Sequence, residues 1–156
     1  MKTKILFLMV STLCFVVLVA ACDAKSLERE VPYTELKRYF FRNDAEMPTS
    51  PKIETRERFD SLFGVASVLG GLPTEIDFAR QLVIAVVLPA TNKDTKIEGK
   101  SLLYRKDLFG KPELTFEYEV QRDDEPLSFT MQPILLIGVD RKYKADTVLV
   151  REIEDK

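Results

Sequence analysis

The sequence predicts an α+β domain that follows a cleaved signal peptide and has a mainly antiparallel sheet of five to six strands with one packed helix, at about residues 55–63. Three observations lead to this class. The apolar run at residues 81–88 is typical of a strand buried on both faces. Only one segment has clear helical periodicity. Several apolar or alternating segments follow it with short connections, which favours antiparallel pairing.

The first 21 residues have the composition of an export signal. Two lysines in the opening MKTK precede a long apolar run, which ends in small residues. The segment Val19-Ala20-Ala21-Cys22 resembles the lipobox of bacterial lipoproteins, and this resemblance implies cleavage before Cys22 and lipid on its sulfur. A retained transmembrane anchor is the alternative, since the run is only a little shorter than the roughly 20 residues that cross a bilayer.

This interpretation divides the chain into three parts. Residues 1–21 are the signal peptide, residues 22–31 are the lipidated Cys22 with a polar tether, and residues 32–156 form a single globular domain. A domain of this size can bury one hydrophobic core without disulfides.

The composition excludes several classes of chemistry. The chain has no histidine, and its two cysteines are Cys14, in the predicted signal peptide, and Cys22, which the lipid would occupy. Ser-His-Asp and Cys-His catalysis and His-bearing zinc sites are therefore excluded. The net charge of −2 becomes more negative when the signal peptide leaves with its two lysines, so no nucleic acid partner is expected. We expect no cofactor and no metal site.

One helix is predicted at residues 55–63. Thr55 is a typical N-cap, and Glu57 places an acidic side chain in the first turn, where the helix dipole favours it. The apolar positions recur at i, i+3 and i+4, and they are Phe59, Leu62 and Phe63. Gly64 is expected to end the helix. The apolar face should lie on the sheet.

Six segments are predicted as strands because they are aromatic, apolar or alternating with period 2. They are residues 38–42, 81–88, 96–104, 114–121, 127–139 and 147–153. Pro133 interrupts the fifth segment and predicts an edge position or a bulge. Turns are predicted at residues 110–112 and 123–126. Tyr39-Phe40-Phe41 cannot all point inward along a strand, so at least one ring should face solvent or pack under the helix.

Carboxylates are the remaining candidates for catalysis. A carboxylic acid with a raised pKa opposite an ionised carboxylate can hydrolyse a glycosidic bond. The candidates are Glu117, Glu119, Asp123, Asp124 and Glu125. The alternative is that they form a solvated strand face and a polar hairpin turn, because nothing in the sequence indicates a cleft.

The segment at residues 89–96 is a candidate binding loop. Its polar positions are Asn92, Lys93, Asp94 and Thr95. Oxygen ligands at alternate positions could begin a calcium loop, but the glycine and the bidentate glutamate of an EF-hand are missing. A flexible hairpin loop is the preferred interpretation.

Two short segments resemble the three-residue O-glycosylation signal of exported Bacteroidota proteins. They are Asp60-Ser61-Leu62 and Asp146-Thr147-Val148. Patterns this short arise often by chance. For Ser61, the position inside the predicted helix favours a structural role.

Two longer segments resemble the small PrcB-like domain. They are TEIDF with the following RQLVIAVVLPAT, and SFTMQPILLIGVDRKY. The motif positions are Asp77 and Phe78 before the apolar strand, and Thr130 and Pro133 before the later strand. The family is named for a lipoprotein that stabilises a surface protease complex, and related small lipoproteins are frequent in Bacteroidota. The chain departs from the family at residues 91–95, where TNKDT stands in place of Thr-Gly-Gly-Tyr.

Three functions follow from these observations. The first is a protein-binding or complex-stabilising module, not an enzyme, which is held to a membrane through Cys22. It would dock on an envelope protein such as a protease through a strand edge or the 89–96 loop. The second is a carboxylate-based hydrolase of envelope glycans, and the third is a carrier with an apolar cavity between helix and sheet. The resemblance implies the outer rather than the inner membrane.

Overall fold

The computed structural model describes residues 28–66 and 71–154. The predicted signal peptide, Cys22 and the first part of the predicted tether lie outside the described residues. The described part is mainly β with one short helix and mixed sheets, which agrees broadly with the predicted α+β class.

Ten strands and one helix make up the described part of the chain. In order they are β1 (Arg29–Glu30), β2 (Thr34–Glu35), β3 (Tyr39–Phe41), β4 (Lys52–Ile53), α1 (Arg56–Leu62), β5 (Phe63–Val65), β6 (Gln81–Val87), β7 (Thr91–Lys106), β8 (Pro112–Met131), β9 (Ile134–Asp140) and β10 (Thr147–Glu152). They form three sheets. The hairpin sheet has the order β1-β7-β8-β10, the central sheet has the order β2-β9-β6-β4, and β3 and β5 form a small sheet.

The central sheet is covered on both faces. Alternate side chains of β6 belong to two different cores, because successive side chains of a strand point to opposite faces. Leu82, Ile84 and Val86 pack toward the hairpin sheet, whereas Val83 and Ala85 pack toward the helix. The buried central strand that the apolar run predicts is confirmed.

The first core lies between the hairpin sheet and the central sheet. Leu102 of β7 and Leu114 and Phe116 of β8 are fully buried in it. Val31, directly after β1, is 1% exposed in the same core, and its N–H donates to the carbonyl of Leu102 at 2.8 Å. Residues 29–31 are therefore part of the sandwich, which corrects the predicted end of the tether at residue 31.

Helix α1 covers the second face of the central sheet. The hydroxyl of Thr55 accepts a hydrogen bond from the N–H of Arg58 at 3.2 Å, so the predicted N-cap is present. Phe59 is 1% exposed and packs edge-to-face on Tyr39, with ring centroids 5.0 Å apart. The helix predicted at residues 55–63 is confirmed to within one residue at each end.

The helix does not end at Gly64 as predicted. Phe63 already has an extended backbone and begins β5, because Phe63 pairs with Phe41 and Val65 pairs with Tyr39 in the small sheet. A glycine cap is not needed when the chain goes directly from helix to strand. Gly64 instead lies under the ring of Phe40, which a Cβ at this position would displace.

The prediction of a single sheet is wrong, since the strands form three sheets. The physical reason is that β6 and β9 need apolar cover on both faces. One cover is the helix, and the other must be a second sheet. The chain returns to the hairpin sheet after β9, where β10 pairs parallel to β8, from Thr147 opposite Glu113 to Glu152 opposite Tyr118.

The prediction of one strand through 127–139 is also wrong. Pro133 lies between β8 and β9, so the chain changes sheets there.

Candidate functional site

The predicted binding loop is the first part of β7. Asn92, Lys93 and Asp94 are exposed, but Thr95 is 6% exposed and its hydroxyl donates to the carbonyl of Lys93 at 3.0 Å. The prediction of a flexible loop is therefore wrong, because β8 extends far enough to pair with this segment. Three of the four predicted side chains remain available to a partner.

Opposite this segment, β8 contains more residues than the strand it pairs with. Thr91 faces Met131 and Lys93 faces Pro126, so two steps on β7 correspond to five on β8. Such an excess forms bulges, which turn side chains out of the ladder. The predicted turn at 123–126 lies in this irregular part of β8 and does not end the strand.

The bulged part of β8 presents acidic groups and one large ring to solvent. Asp123, Asp124 and Glu125 are exposed, and Phe129 is 60% exposed. The ammonium of Lys93 lies 4.0 Å from a carboxylate oxygen of Asp124. We call residues 92–94 together with residues 123–129 the far end, since they lie at the end of the hairpin opposite the turn between β7 and β8.

Glu117 lies on the outer face of the hairpin sheet in a network of partners. The hydroxyl of Ser101 donates to Glu117 at 2.7 Å, and the guanidinium of Arg151 forms an ion pair with it. These hydrogen bonds hold the pKa of Glu117 below its ordinary value, and the bond from Ser101 has the larger effect. The group is ionised at neutral pH and is not a proton donor.

Glu119, two residues further along β8, is also a carboxylate paired with a basic side chain. The ammonium of Lys100 lies 2.7 Å from its carboxylate and 3.5 Å from that of Glu98. The hydrogen bond from Lys100 lowers the pKa of Glu119. A carboxylic acid with a raised pKa is the requirement for glycoside hydrolysis, and neither Glu117 nor Glu119 meets it. The other three candidate carboxylates, Asp123, Asp124 and Glu125, are exposed at the far end.

The first pair of motif residues builds the entrance to β6. The carboxylate of Asp77 accepts from the N–H of Ala79 at 2.9 Å, and its carbonyl accepts from the N–H of Gln81 at 2.8 Å. Phe78 packs on Phe59 with ring centroids 5.8 Å apart, and Arg56 lies over its ring at 5.0 Å. Both motif residues therefore have structural contacts.

The second pair lies at the change of sheets. Pro133 is buried, and its carbonyl accepts from the N–H of Leu88 at 3.0 Å. The side chain of the neighbouring Gln132 donates to the carbonyl of Leu88 at 2.9 Å. Thr130 is exposed next to Phe129. Asp77 and Thr130 are the two exposed motif residues, and Asp77 also holds the turn before β6 through its hydrogen bond from Ala79.

A groove of about 400 Å³ lies beside α1. Its lining includes Tyr39, Val65 and Leu72, and also the charged side chains of Arg56 and Asp60. Buried side chains of the second core, among them Phe59 and Leu62, pack between the helix and the sheet. The groove is an open surface feature of mixed polarity.

The two candidate glycosylation residues are both on the surface. Ser61 is exposed on α1, and its hydroxyl donates to the carbonyl of Arg58 at 2.7 Å. Thr147 is exposed as the first residue of β10. Modification of either residue stays a prediction.

The turn predicted at residues 110–112 is present between β7 and β8, but sequence reasoning missed the two large apolar side chains that it exposes. Leu108 is 101% exposed and Phe109 is 87% exposed, the first and third most exposed positions among the large apolar side chains described. The signal was available, because two large apolar residues stand between Asp107 and Gly110 in a segment with turn composition. We call residues 107–111 the tip.

The described residues lack two further features. No three His, Cys, Asp or Glu side chains among residues 28–66 and 71–154 lie close enough together to hold a metal ion. In the same residues, no helix has the length and apolar character needed to span a bilayer. Comparison of the chain with models of protein families, with curated proteins and with solved structures gave no significant match.

Proposed function

We propose that this protein is an envelope lipoprotein, anchored by lipid on Cys22, whose domain binds another protein through the far end. It has no catalytic role. The proposal rests above all on the position of β1, which separates the anchored side of the domain from the far end.

The register of β1 gives the direction in which the chain enters the domain. Arg29 faces Tyr104 and Glu30 faces Leu103, so Arg29, the first residue of β1, lies nearer the tip than Glu30 does, and β1 runs from the tip end toward the far end. Tyr104 is 13 positions along β7 from Thr91, which adjoins the far end, and this separation corresponds to about 40 Å of strand. A membrane anchor at Cys22 therefore leaves the far end directed away from the bilayer.

The far end has the composition of a contact surface. Phe129 supplies a large ring that is 60% exposed, and large aromatic side chains are frequent anchors of protein interfaces. The three neighbouring acidic residues would pair with a basic rim on the partner. The resemblance to the PrcB-like domain makes a surface protease complex the first partner to consider, and the outer membrane the first location.

The hydrolase alternative loses support because the candidate carboxylates are divided between two surfaces. Glu117 and Glu119 are paired with cations on the face of the hairpin sheet, whereas the acidic residues of the far end are solvated. For the carrier alternative, the described residues offer the open groove beside α1 and a smaller pocket of about 140 Å³ beside β6. Neither arrangement suggests a defined substrate.

A photoreactive phenylalanine analogue at position 129 tests the binding surface in living cells. We expect a cross-link to one envelope protein from position 129 and none from position 40, where Phe40 is also exposed, at 46%, but on the small sheet. Equal cross-linking from both positions, or none from position 129, would contradict the proposal.

The same surface can be tested by affinity once that partner is known. A phenylalanine ring exposes roughly 200 Å², so the exposed 60% of Phe129 is worth at most about 3 kcal/mol when covered, at about 25 cal/mol per Å². Phe129→Ser should weaken binding by up to about 100-fold, and Phe40→Ser should not.

The lipid anchor has its own test. Cys22→Ser should abolish labelling by a fatty-acid probe, and persistent labelling would refute lipidation.

A further inference from the structure

The tip is a preformed turn that holds two apolar side chains in solvent. The carboxylate of Asp107 accepts from the N–H groups of Phe109 and Lys111, both at 2.8 Å, and the carbonyl of Lys111 accepts from the N–H of Asp107 at 2.8 Å. Gly110 completes the turn with φ +76, a value that side chains rarely permit. Leu108 and Phe109 are thus fixed outward by the backbone.

Exposure of this kind is costly unless something covers it. Leu108 and Phe109 are adjacent, almost fully exposed and at the outermost point of the longest hairpin in the described residues. Lys106 and Lys111 flank them, both are exposed, and neither has an ion pair within the described part of the chain. Apolar side chains between solvated lysines have the composition of segments that enter a membrane interface.

The tip is also at the end of the domain where β1 begins. Arg29 faces Tyr104, and Leu108 lies four residues beyond Tyr104, about 13 Å along the hairpin. Cys22 and Arg29 are seven positions apart in the sequence, a stretch that spans at most about 24 Å. A lipid on Cys22 would keep the domain near enough to the bilayer for the tip to reach it.

We infer that Leu108 and Phe109 insert into the interface of the same phospholipid bilayer that holds the lipid on Cys22. Lys106 and Lys111 then lie at the level of the lipid phosphates. This inference rests on the lipid anchor of the proposed function and adds a second attachment point. With two points of contact, the domain stands on the membrane with one orientation instead of rotating about a flexible tether.

The distribution of charge agrees with this orientation. Residues 105–113 contain three basic and two acidic side chains, with Arg105 paired to Glu113, whereas residues 122–126 contain one basic and three acidic. The basic end would face anionic phospholipids and the acidic far end would face outward. Glu28 and Glu30 offset part of the basic charge near the tip, so the insertion of Leu108 and Phe109 must supply most of the binding.

The absence of tryptophan from the chain allows a direct test. Phe109→Trp and Phe129→Trp place a single fluorophore at the tip or at the far end, both at exposed positions where the larger ring fits. Each lipoprotein is purified from membranes in detergent and reconstituted into vesicles of phosphatidylethanolamine and phosphatidylglycerol. We expect the emission of F109W to shift to shorter wavelength, with quenching by brominated acyl chains and a several-fold loss of quenching by acrylamide. F129W should keep the emission of a tryptophan in water.

The outcomes separate the tip from the anchor. If the protein floats with the vesicles but the emission of F109W does not shift, the insertion of the tip is refuted and the lipid anchor stands. If the protein does not float, the anchor proposal fails and the inference fails with it. An equal shift of F109W and F129W would mean adsorption without orientation and would also refute it.

Two controls identify the occupant of the tip. A shift of F109W emission that depends on protein concentration without vesicles would indicate a second copy of the chain, and a shift in native envelopes but not in pure lipid would indicate a protein partner. Either result overturns the inference. Leu108→Ser in the F109W protein should reduce the shift, because half of the inserting surface is lost, while leaving the thermal unfolding temperature unchanged.

Discussion

Val31→Ala measures how firmly the N-terminal strand is held in the sandwich. Val31 is 1% exposed between the hairpin and central sheets, and its N–H donates to the carbonyl of Leu102. The substitution removes two buried methyl groups, at about 0.8 kcal/mol each, and leaves a small cavity. We expect the free energy of unfolding to fall by about 2 kcal/mol and Tm to fall by roughly 6–8 °C.

Urea denaturation of the purified protein, followed by circular dichroism, measures this loss. Val65→Ala is the matched control, because Val65 also lies in a short strand but is 52% exposed. Its free energy of unfolding should change by less than about 0.5 kcal/mol. A loss at Val31 no larger than that of the control would refute the reasoning. Residues 29–31 would then belong to the tether, and the orientation derived from β1 would lose its basis.

Two further predictions concern the outer face of the hairpin sheet. The hydroxyl of Thr115 is buried without a hydrogen-bond partner among the described residues, so Thr115→Val should raise the free energy of unfolding by about 1 kcal/mol; a lower value would show that the hydroxyl has a partner. The pKa of Glu117 is lowered by Ser101 and Arg151, so its stabilisation is present above the ordinary pKa of 4.5 and is lost as the pH falls below it. Glu117→Gln should therefore cost about 1 kcal/mol at pH 7 and progressively less in acid, and a pH-independent loss would contradict this.

The elements predicted well from sequence are those whose signals are local. Thr55 and the i, i+3, i+4 spacing after it define the helix, and the run from Gln81 defines the central strand, because caps and periodicity involve only neighbouring residues. The prediction that Gly64 ends the helix fails because it rests on the frequency of glycine after helices, whereas here Gly64 and its neighbours pair with β3. That pairing joins positions more than twenty residues apart.

The candidate site was predicted less well, for the same reason. Residues 92–94 were identified as a surface, but their place in a strand depends on how far β8 continues beyond residue 121. The acidic residues at 123–125 are the other half of that surface, and the bulges that bring them there follow from unequal strand lengths. Leu108 and Phe109 could have been noticed in the turn, but their relation to the anchor could not.

The sequence by itself determined which chemistries the side chains exclude, and it determined the helix and the central strand. It also predicts the anchor at Cys22. These depend on residue types and on spacings of a few positions. The tertiary structure alone decided that there are two large sheets, that Arg29 to Val31 belong to the fold, and that the tip lies near the entering chain while the far end lies opposite. Those features are set by pairing between distant residues, 75 positions apart for Arg29 and Tyr104 and 104 positions apart for Thr34 and Gly138. Such pairing is fixed only when both faces of the central sheet are buried at once.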